Sequence, residues 1–93
     1  MIKSFGDKET QRLFEGERTR KLHPDIQERA QRRLIQIHRA VSLDDLRQPP
    51  SNQLERLRGN LKEYHSIRIN QQWRVIFLWT GADAENVSIV DYH

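Results

Sequence analysis

The side chains best suited to chemistry stand near the C-terminal end of the 93-residue sequence. Asp91, Tyr92 and His93 follow an apolar run and offer a carboxylate, a phenol and an imidazole in succession. Histidine titrates near neutral pH and suits proton transfer, aspartate accepts a proton or orients a base, and tyrosine stacks on or hydrogen-bonds a nucleotide. Strand alternation would place Asp91 and His93 on one face and Tyr92 on the other. The alternative is a frayed, polar chain end without chemistry.

Arginine is the second candidate group, because its planar guanidinium makes bidentate contacts with phosphate or carboxylate. Arg74 opens an apolar strand, so it is either a rim residue paired with a carboxylate such as Asp91 or a side chain directed into a pocket. The strand order lets it face Asp91 and His93. Arg68 lies across a predicted hairpin. It is either an exposed strand residue or a second arginine that binds a phosphate. Further basic candidates precede the hairpin: Arg56, Arg58 and Lys62.

Two helices are predicted in the first half of the chain. Ile2 to Phe5 alternate as in a short first strand, and Asp7 then caps a helix that runs through Glu15 and stops at Gly16. A second helix begins at Pro24 and carries one apolar stripe, formed by Ile26, Ala30, Leu34, Ile37 and Val41. The arginine-rich side of this helix is either a solvated face or a surface that contacts RNA.

In the second half of the chain, apolar and polar residues alternate with a period of two, which is typical of strands. A helical turn begins at a capping box on Ser42 and ends at Pro49-Pro50. Strands are then predicted from Tyr64, over 73–79 and over 87–92, with an ambiguous strand at 54–57 and a loop over 80–86. Helices followed by consecutive strands predict an α+β fold, in which an antiparallel meander is covered on one face by the helices and its other face can stay open.

Composition narrows the class of protein. A net charge of +3 and a pI of about 9.7 fit a domain that binds nucleic acid, an acidic partner or neither. The absence of cysteine excludes disulfides and cysteine-based chemistry. We expect one domain over 1–93 and a cytoplasmic location, because no apolar run suits a membrane span or a signal peptide. No metal-ligand spacing or phosphate-binding glycine loop is present.

The remaining histidines have weaker claims to chemistry. His23 precedes Pro24 and is interpreted as a cap-region residue, and His38 as a residue on the helix surface. His65 shares its strand face with Ile67 and Ile69, which favours a place at the edge of the core over a catalytic role.

Four segments resemble the HigB-type toxins of the RelE/ParE superfamily of bacterial toxin–antitoxin systems. They are residues 1–5, the Leu54…Leu57-Arg58-Gly59 segment, the hairpin over 66–74 and the ending Asp91-Tyr92-His93. The resemblance spans essentially the whole chain. It implies two helices on a small antiparallel sheet, as in microbial ribonucleases, and a ribosome-dependent endonuclease that cuts mRNA in the ribosomal A site without a metal or cofactor.

The resemblance also implies residue roles. Arg74 would stabilise the phosphorane, Asp91 and His93 would share proton transfer, Tyr92 would orient or stack on a nucleotide, and Arg58 would assist at the phosphate. The implied partners are the ribosome with mRNA and a helix-turn-helix antitoxin of the HigA type, with DNA contacted only through the toxin–antitoxin complex and no membrane.

Two positions depart from the family pattern: some relatives carry a histidine at the position of Glu55, and some carry an arginine at the position of Asn70. Arg68, two residues away on the same strand face, is the candidate replacement for the latter. Both departures are compatible with a milder toxin. Two other hypotheses compete: a ParE-like inhibitor that blocks DNA gyrase without catalysis, and a basic RNA-binding module without activity.

Overall fold

Two helices and a four-stranded antiparallel sheet make up residues 1–91, the part of the chain that the computed structural model describes; Tyr92 and His93 lie outside it. The helices are α1 (Lys8–Phe14) and α2 (Pro24–Arg39). The strands are neighbours in chain order: β1 (Glu55–Arg56), β2 (Tyr64–Arg68), β3 (Trp73–Thr80) and β4 (Asp83–Asp91). Short 3₁₀ turns occupy Leu43–Arg47, Pro50–Asn52 and Gly59–Leu61. The predicted α+β meander is therefore confirmed.

Local signals set the bounds of α1. The Asp7 carboxylate accepts the Thr10 backbone N–H at 2.7 Å, and this satisfies one of the donors that a helix start leaves unpaired. Gly16 follows the helix with a φ of 96°, a left-handed conformation that glycine adopts without the Cβ penalty. The predicted cap and stop are both confirmed.

The second helix starts where the sequence indicated and ends earlier than its apolar stripe. Ala30, Leu34 and Ile37 are fully buried, but Val41 lies beyond α2 and is 74% exposed, so its place in the stripe was wrong. The Asp45 carboxylate explains the early end, because it accepts the backbone N–H groups of Val41 at 2.8 Å and Ser42 at 3.1 Å. This predicted capping box starts the next turn and draws the chain out of the helix.

The sheet has two different faces, because residues directly opposite each other on neighbouring strands share a face. The covered face packs its apolar side chains against α1 and α2, notably Ile67, Val75, Phe77 and Ile89. The second face, here called the Arg74 face, is defined by Glu55, Ser66, Arg74, Ile76 and Ser88. Ser66, Arg74 and Ile76 are at most 8% exposed. The prediction that this face can stay open is therefore wrong at its centre.

The last strand begins earlier than predicted, and the ambiguous strand over 54–57 is reduced to the two residues of β1. The expected loop over 80–86 is instead a two-residue turn at Gly81 and Ala82, after which β4 begins. Asn86, with a φ of 52°, lies in a bulge that places two residues opposite Phe77. Gly81 and Asn86 are both turn-forming residues, which is why the sequence pattern suggested a loop.

The N-terminal segment does not form a strand of its own. Ile2 and Phe5 make isolated parallel bridges to Ala84 and Val87, so the segment lines the outer edge of β4. The predicted first strand is thus reduced to two contact points. Within residues 1–91 no helix is both long and apolar enough to cross a bilayer.

Candidate active site

Arg74 is the only buried arginine among the described residues, with 6% of its surface exposed. Its Nε donates to the Ser66 hydroxyl at 2.8 Å, and its Nη2 donates to the backbone carbonyl of Gln53 at 2.6 Å. Burying a guanidinium is unfavourable unless its donors are paired, and these two bonds supply that pairing. Arg74 is therefore held in a fixed orientation between β2 and the segment that precedes β1.

Gln53 contributes an unusual backbone conformation to this site. Its φ of 45° and ψ of 59° fall in the left-handed region, which costs a residue with a Cβ about 1–3 kcal/mol. The preceding turn, Pro50–Asn52, brings the chain to this point. The Asn52 side-chain NH2 group anchors it, because its nitrogen lies 2.9–3.2 Å from oxygens of Gln36, Leu46 and Gln48, which share its two hydrogens. The strained residue is thus the one whose carbonyl orients Arg74.

Glu55 is the carboxylate that faces Arg74. Its Oε1 lies 3.8 Å from the Arg74 Nη1, and 48% of its side chain is exposed. The register of β1 places Glu55 directly opposite Ser66, so all three side chains belong to the Arg74 face. A solvent-accessible carboxylate beside a fixed guanidinium can exchange a proton with a ligand that the guanidinium binds.

Asp91 occupies a different place from the one expected. It lies opposite Trp73 in the register, whereas Arg74 lies opposite Val90, so Asp91 and Arg74 belong to opposite faces of the sheet. The Asp91 side chain accepts a hydrogen bond from the Gln72 amide at 3.1 Å. The expectation that Arg74 faces Asp91 across neighbouring strands is wrong because the register is offset by one residue. The companion predictions for Tyr92 and His93 lie outside the described residues.

Two of the three basic candidates before the hairpin line a shallow pocket beside Glu55. Arg56 and Arg58 line it together with Glu55, Leu57 and Leu61, and its volume is about 200 Å³. The Arg56 Nε donates to the carbonyl of Lys62 at 3.0 Å, which ties β1 to the turn at Gly59. Arg56, Arg58 and Lys62 are all exposed. Arg56 lies opposite His65 on β2, so it belongs to the covered face, whereas the neighbouring Glu55 belongs to the Arg74 face.

Arg68 lies directly opposite Arg74 on β2. It is half-buried, and its Nε donates to the carbonyl of Asn70 at 3.1 Å. The hairpin thus places two guanidinium groups at the same end of the sheet, which is the arrangement that the phosphate-gripping hypothesis requires.

The chain matches over residues 3–93 the family described as HigB-like toxin, the RelE-like toxin of the type II toxin–antitoxin system HigB. The chain belongs to this toxin family. Membership implies an antitoxin partner for the chain, because the family is one half of a two-protein system.

Two relatives agree with this membership over nearly their whole lengths. The chain is 40% identical to Toxin HigB-1 of Vibrio cholerae over 87 residues, which cover 92% of each protein. It is 32% identical to the Endoribonuclease HigB of Proteus vulgaris over 93 residues, the full length of both. The resemblance on which the sequence analysis relied is therefore confirmed for the family and the fold class.

Sequence reasoning missed two parts of the Arg74 site, the Ser66 hydroxyl and the Gln53 carbonyl. It noted Glu55 only as a departure from relatives that carry a histidine there, and not as the partner of Arg74. Ser66 gave a usable signal, because it alternates on the same strand face as Arg68. The contact of Glu55 with Arg74 gave none, since β1 is only two residues long and its register depends on pairing with β2.

The other histidines have structural places. His23 is the N-cap of α2, as predicted, and its ring accepts the Asp25 backbone N–H at 3.2 Å. His38 is not a plain surface residue, because it is half-buried, contacts the Phe14 ring and accepts the Ile2 N–H at 3.1 Å. His65 stacks on Phe77 at the edge of the core, as predicted. Burial and, secondarily, the charge of Arg56 lower its pKa.

Proposed function

We propose that the chain is a ribosome-dependent endoribonuclease that cleaves mRNA in the ribosomal A site and thereby arrests translation and growth. The observation that carries this proposal is the buried Arg74, held by Ser66 and Gln53 beside the accessible carboxylate of Glu55. Membership of the RelE-like toxin family and the name of the Proteus vulgaris relative support it. In this proposal residues 1–93 act as one toxin domain in the cytoplasm.

The proposed reaction is an internal transfer at phosphorus. The 2′-oxygen of the RNA attacks the adjacent phosphorus and loses its proton to a base, and the bond from phosphorus to the 5′-oxygen of the next nucleotide breaks. The departing oxygen takes up a proton from an acid. The products are a 2′,3′-cyclic phosphate and a 5′-hydroxyl end. Arg74 offsets the charge that builds on the phosphoryl oxygens, and its fixed orientation suits this task.

The proton transfers are assigned by position. Glu55 is the proposed base for the 2′-hydroxyl, because it is the carboxylate beside Arg74 on the same face. The remaining proton transfer is assigned to His93, and Tyr92 orients or stacks on a nucleotide. Asp91 takes no part in the transfers at the Arg74 site, because it belongs to the opposite face of the sheet. The chemistry uses no metal or cofactor in this assignment.

The exposed basic residues supply binding to the RNA backbone. Arg58 and Lys62 contact phosphates on the Glu55 side of the site, and Arg68 contacts one on the other side. Arg56 is directed to the covered face at the edge of the sheet and contacts only RNA that passes that edge. Phosphate contacts of this kind position a nucleic acid without reading its sequence.

The proposed partners follow from the same assignment. The substrate is mRNA on the ribosome, and the antitoxin is a helix-turn-helix protein of the HigA type. DNA is contacted only through the toxin–antitoxin complex, and no membrane is involved. The family that matches and the Endoribonuclease HigB relative favour this function over a ParE-like gyrase inhibitor on the same fold.

The test compares purified ribosomes carrying a defined mRNA, with and without the protein. We expect codon-phased cuts in primer extension and 2′,3′-cyclic phosphate ends, and no cutting with Arg74→Ala or His93→Ala proteins that fold normally. Arg47→Ala is the matched control, because Arg47 is exposed and pairs with Asp44 and not with a residue that holds Arg74. Intact mRNA together with DNA-damage signalling in cells would instead support a gyrase inhibitor.

A further inference from the structure

A second basic site lies between α2 and the turn that joins β2 to β3. It is a groove of about 380 Å³, here called the arginine groove, and it is lined by Arg29, Arg33, Ser51, Arg68, Ile69, Asn70 and Gln71. Except for Ile69, every residue of this lining has a polar or charged side chain. Arg29 and Arg33 are not among the residues that the proposed reaction uses.

Three backbone carbonyls in a row fix the positions of the three arginines. The Arg33 Nε donates to the carbonyl of Arg68 at 2.9 Å, and the Arg29 Nη1 donates to that of Ile69 at 3.4 Å. Arg68 donates to the carbonyl of Asn70 at 3.1 Å. A guanidinium has five N–H donors, so each arginine is oriented by one bond and retains donors for a ligand.

The positive charge of the groove is not balanced from within residues 1–91. None of its three arginines lies within 4 Å of a described carboxylate, whereas the adjacent Arg32 is paired with Glu28 at 2.8 Å. Burial lowers the pKa of Arg33, and the neighbouring charges of Arg29 and Arg32 lower it further. Arginines held this close repel one another in the free protein. An anion bound between them is attracted to each, and this attraction offsets the repulsion.

The groove adjoins the Arg74 site along the chain. Arg68 lies opposite Arg74 in the hairpin, and Ser51 is two residues before Gln53, which accepts a hydrogen bond from Arg74. Because α2 packs on the covered face and Arg74 belongs to the other face, an RNA strand bound at Arg74 reaches the groove by passing around the end of the sheet at the β2–β3 turn. The polar lining favours a phosphodiester backbone over an apolar protein segment, because protein interfaces have apolar and aromatic anchors at their centres.

We propose that the arginine groove binds a backbone phosphate of the RNA that flanks the cleaved bond. The inference rests on the proposed function and adds Arg29 and Arg33 to the RNA-binding surface. These residues act in binding only, so they set the affinity for the substrate and leave the rate of the bound complex unchanged.

The test measures equilibrium binding to ribosomes that carry an mRNA with a 2′-deoxy nucleotide at the cleaved position, which prevents chemistry. Arg33→Gln removes the charge and retains a nitrogen donor at the place of Nε, so the bond to the Arg68 carbonyl is preserved. Arg29→Gln is its companion, and Arg32→Gln is the matched control on the same helix. Thermal unfolding checks that all three proteins fold.

We expect each groove variant to reduce the slope of log affinity against log salt by about one, as loss of one phosphate contact does. The double variant should raise KM about tenfold in the cleavage assay, with kcat at saturation unchanged. Arg33→Lys, which keeps the charge, should retain most of the salt dependence.

Two results would overturn the inference. One is a salt slope for the Arg29 and Arg33 variants equal to that of Arg32→Gln. The other is normal ribosome binding with a weakened antitoxin complex, which would make the groove a protein-binding site. Failure of the proposed function is a separate result, because unaltered protein would then leave ribosome-bound mRNA uncut in the parallel cleavage assay.

Discussion

The Arg74 site and the arginine groove both depend on arginine side chains, but they use them in opposite ways. Arg74 is buried, with its donors directed at a hydroxyl and a carbonyl of the protein. The groove arginines are exposed or half-buried, and each is oriented by one backbone carbonyl. A dry, fixed guanidinium is suited to charge that develops during a reaction, because no solvent has to reorganise. Accessible guanidiniums are suited to charge that is already present on a ligand.

The largest effect is expected from Arg74→Lys. Lysine keeps the charge but cannot satisfy Ser66 and Gln53 together with a planar group, so charge stabilisation should fall and single-turnover cleavage with it, by about 10²–10³-fold. Arg47→Lys is the control at an exposed ion pair. Cleavage within twofold of the unaltered protein would show that the fixed orientation of Arg74 has no catalytic role.

Glu55→Gln is expected to have the next largest effect. The amide has nearly the same size but cannot take the proton of the 2′-hydroxyl, so the rate should fall about 10²-fold, the lower end of general-base contributions. Glu55→His restores a base and should recover part of the rate. Glu63→Gln, an exposed change that removes the same charge, should leave cleavage unaltered. Equal rates for the Glu55→Gln and Glu63→Gln proteins would remove Glu55 from the mechanism.

Ser66→Ala should weaken the orientation of Arg74 without removing it. Loss of a buried hydrogen bond to a charged group costs about 1.5–3 kcal/mol, so the urea midpoint should fall. We expect the cleavage rate to fall about tenfold, since Arg74 keeps its bond to the Gln53 carbonyl. Ser88→Ala, on the same face, is the control for removal of a hydroxyl. A large loss of stability with an unchanged rate would assign Ser66 to folding alone.

The smallest effect concerns the covered face, where His65 provides a test of pH dependence. Its pKa is lowered in the folded protein, so below about pH 6.5 the unfolded chain binds more protons. Its contribution to stability is therefore present above that pH and is lost as the pH falls through the lower folded value. Urea midpoints at several pH values should show a shallower decline for His65→Leu than for the unaltered protein. An exposed change, His23→Ala, should preserve the decline.

The helices were predictable because their signals are local. Asp7, Gly16 and Pro24 act within one turn of the helix end that each marks, and the apolar stripe of α2 identifies its buried side. Val41 shows the limit of that stripe, since a carboxylate four residues away ended the helix first.

The site was less predictable because strand register decides it. A one-residue offset moves a side chain to the other face, and this separated Asp91 from Arg74. The pairing of Glu55 with Arg74 joins residues 19 positions apart through a two-residue strand, and no local pattern encodes such a contact. The arginines of the groove donate to backbone carbonyls. Every residue has such a carbonyl, so the sequence does not indicate which residues accept these bonds.

The bridges from Ile2 and Phe5 to Ala84 and Val87 have a consequence for the order in which the protein assembles. They join the first residues to the last strand, whereas the β-meander forms from neighbours in sequence, and distant contacts form slowly because the intervening chain must first be ordered. During synthesis the first five residues have no bridging partner until β4 has been made. The N-terminal segment therefore joins the sheet only after β4 has been synthesised.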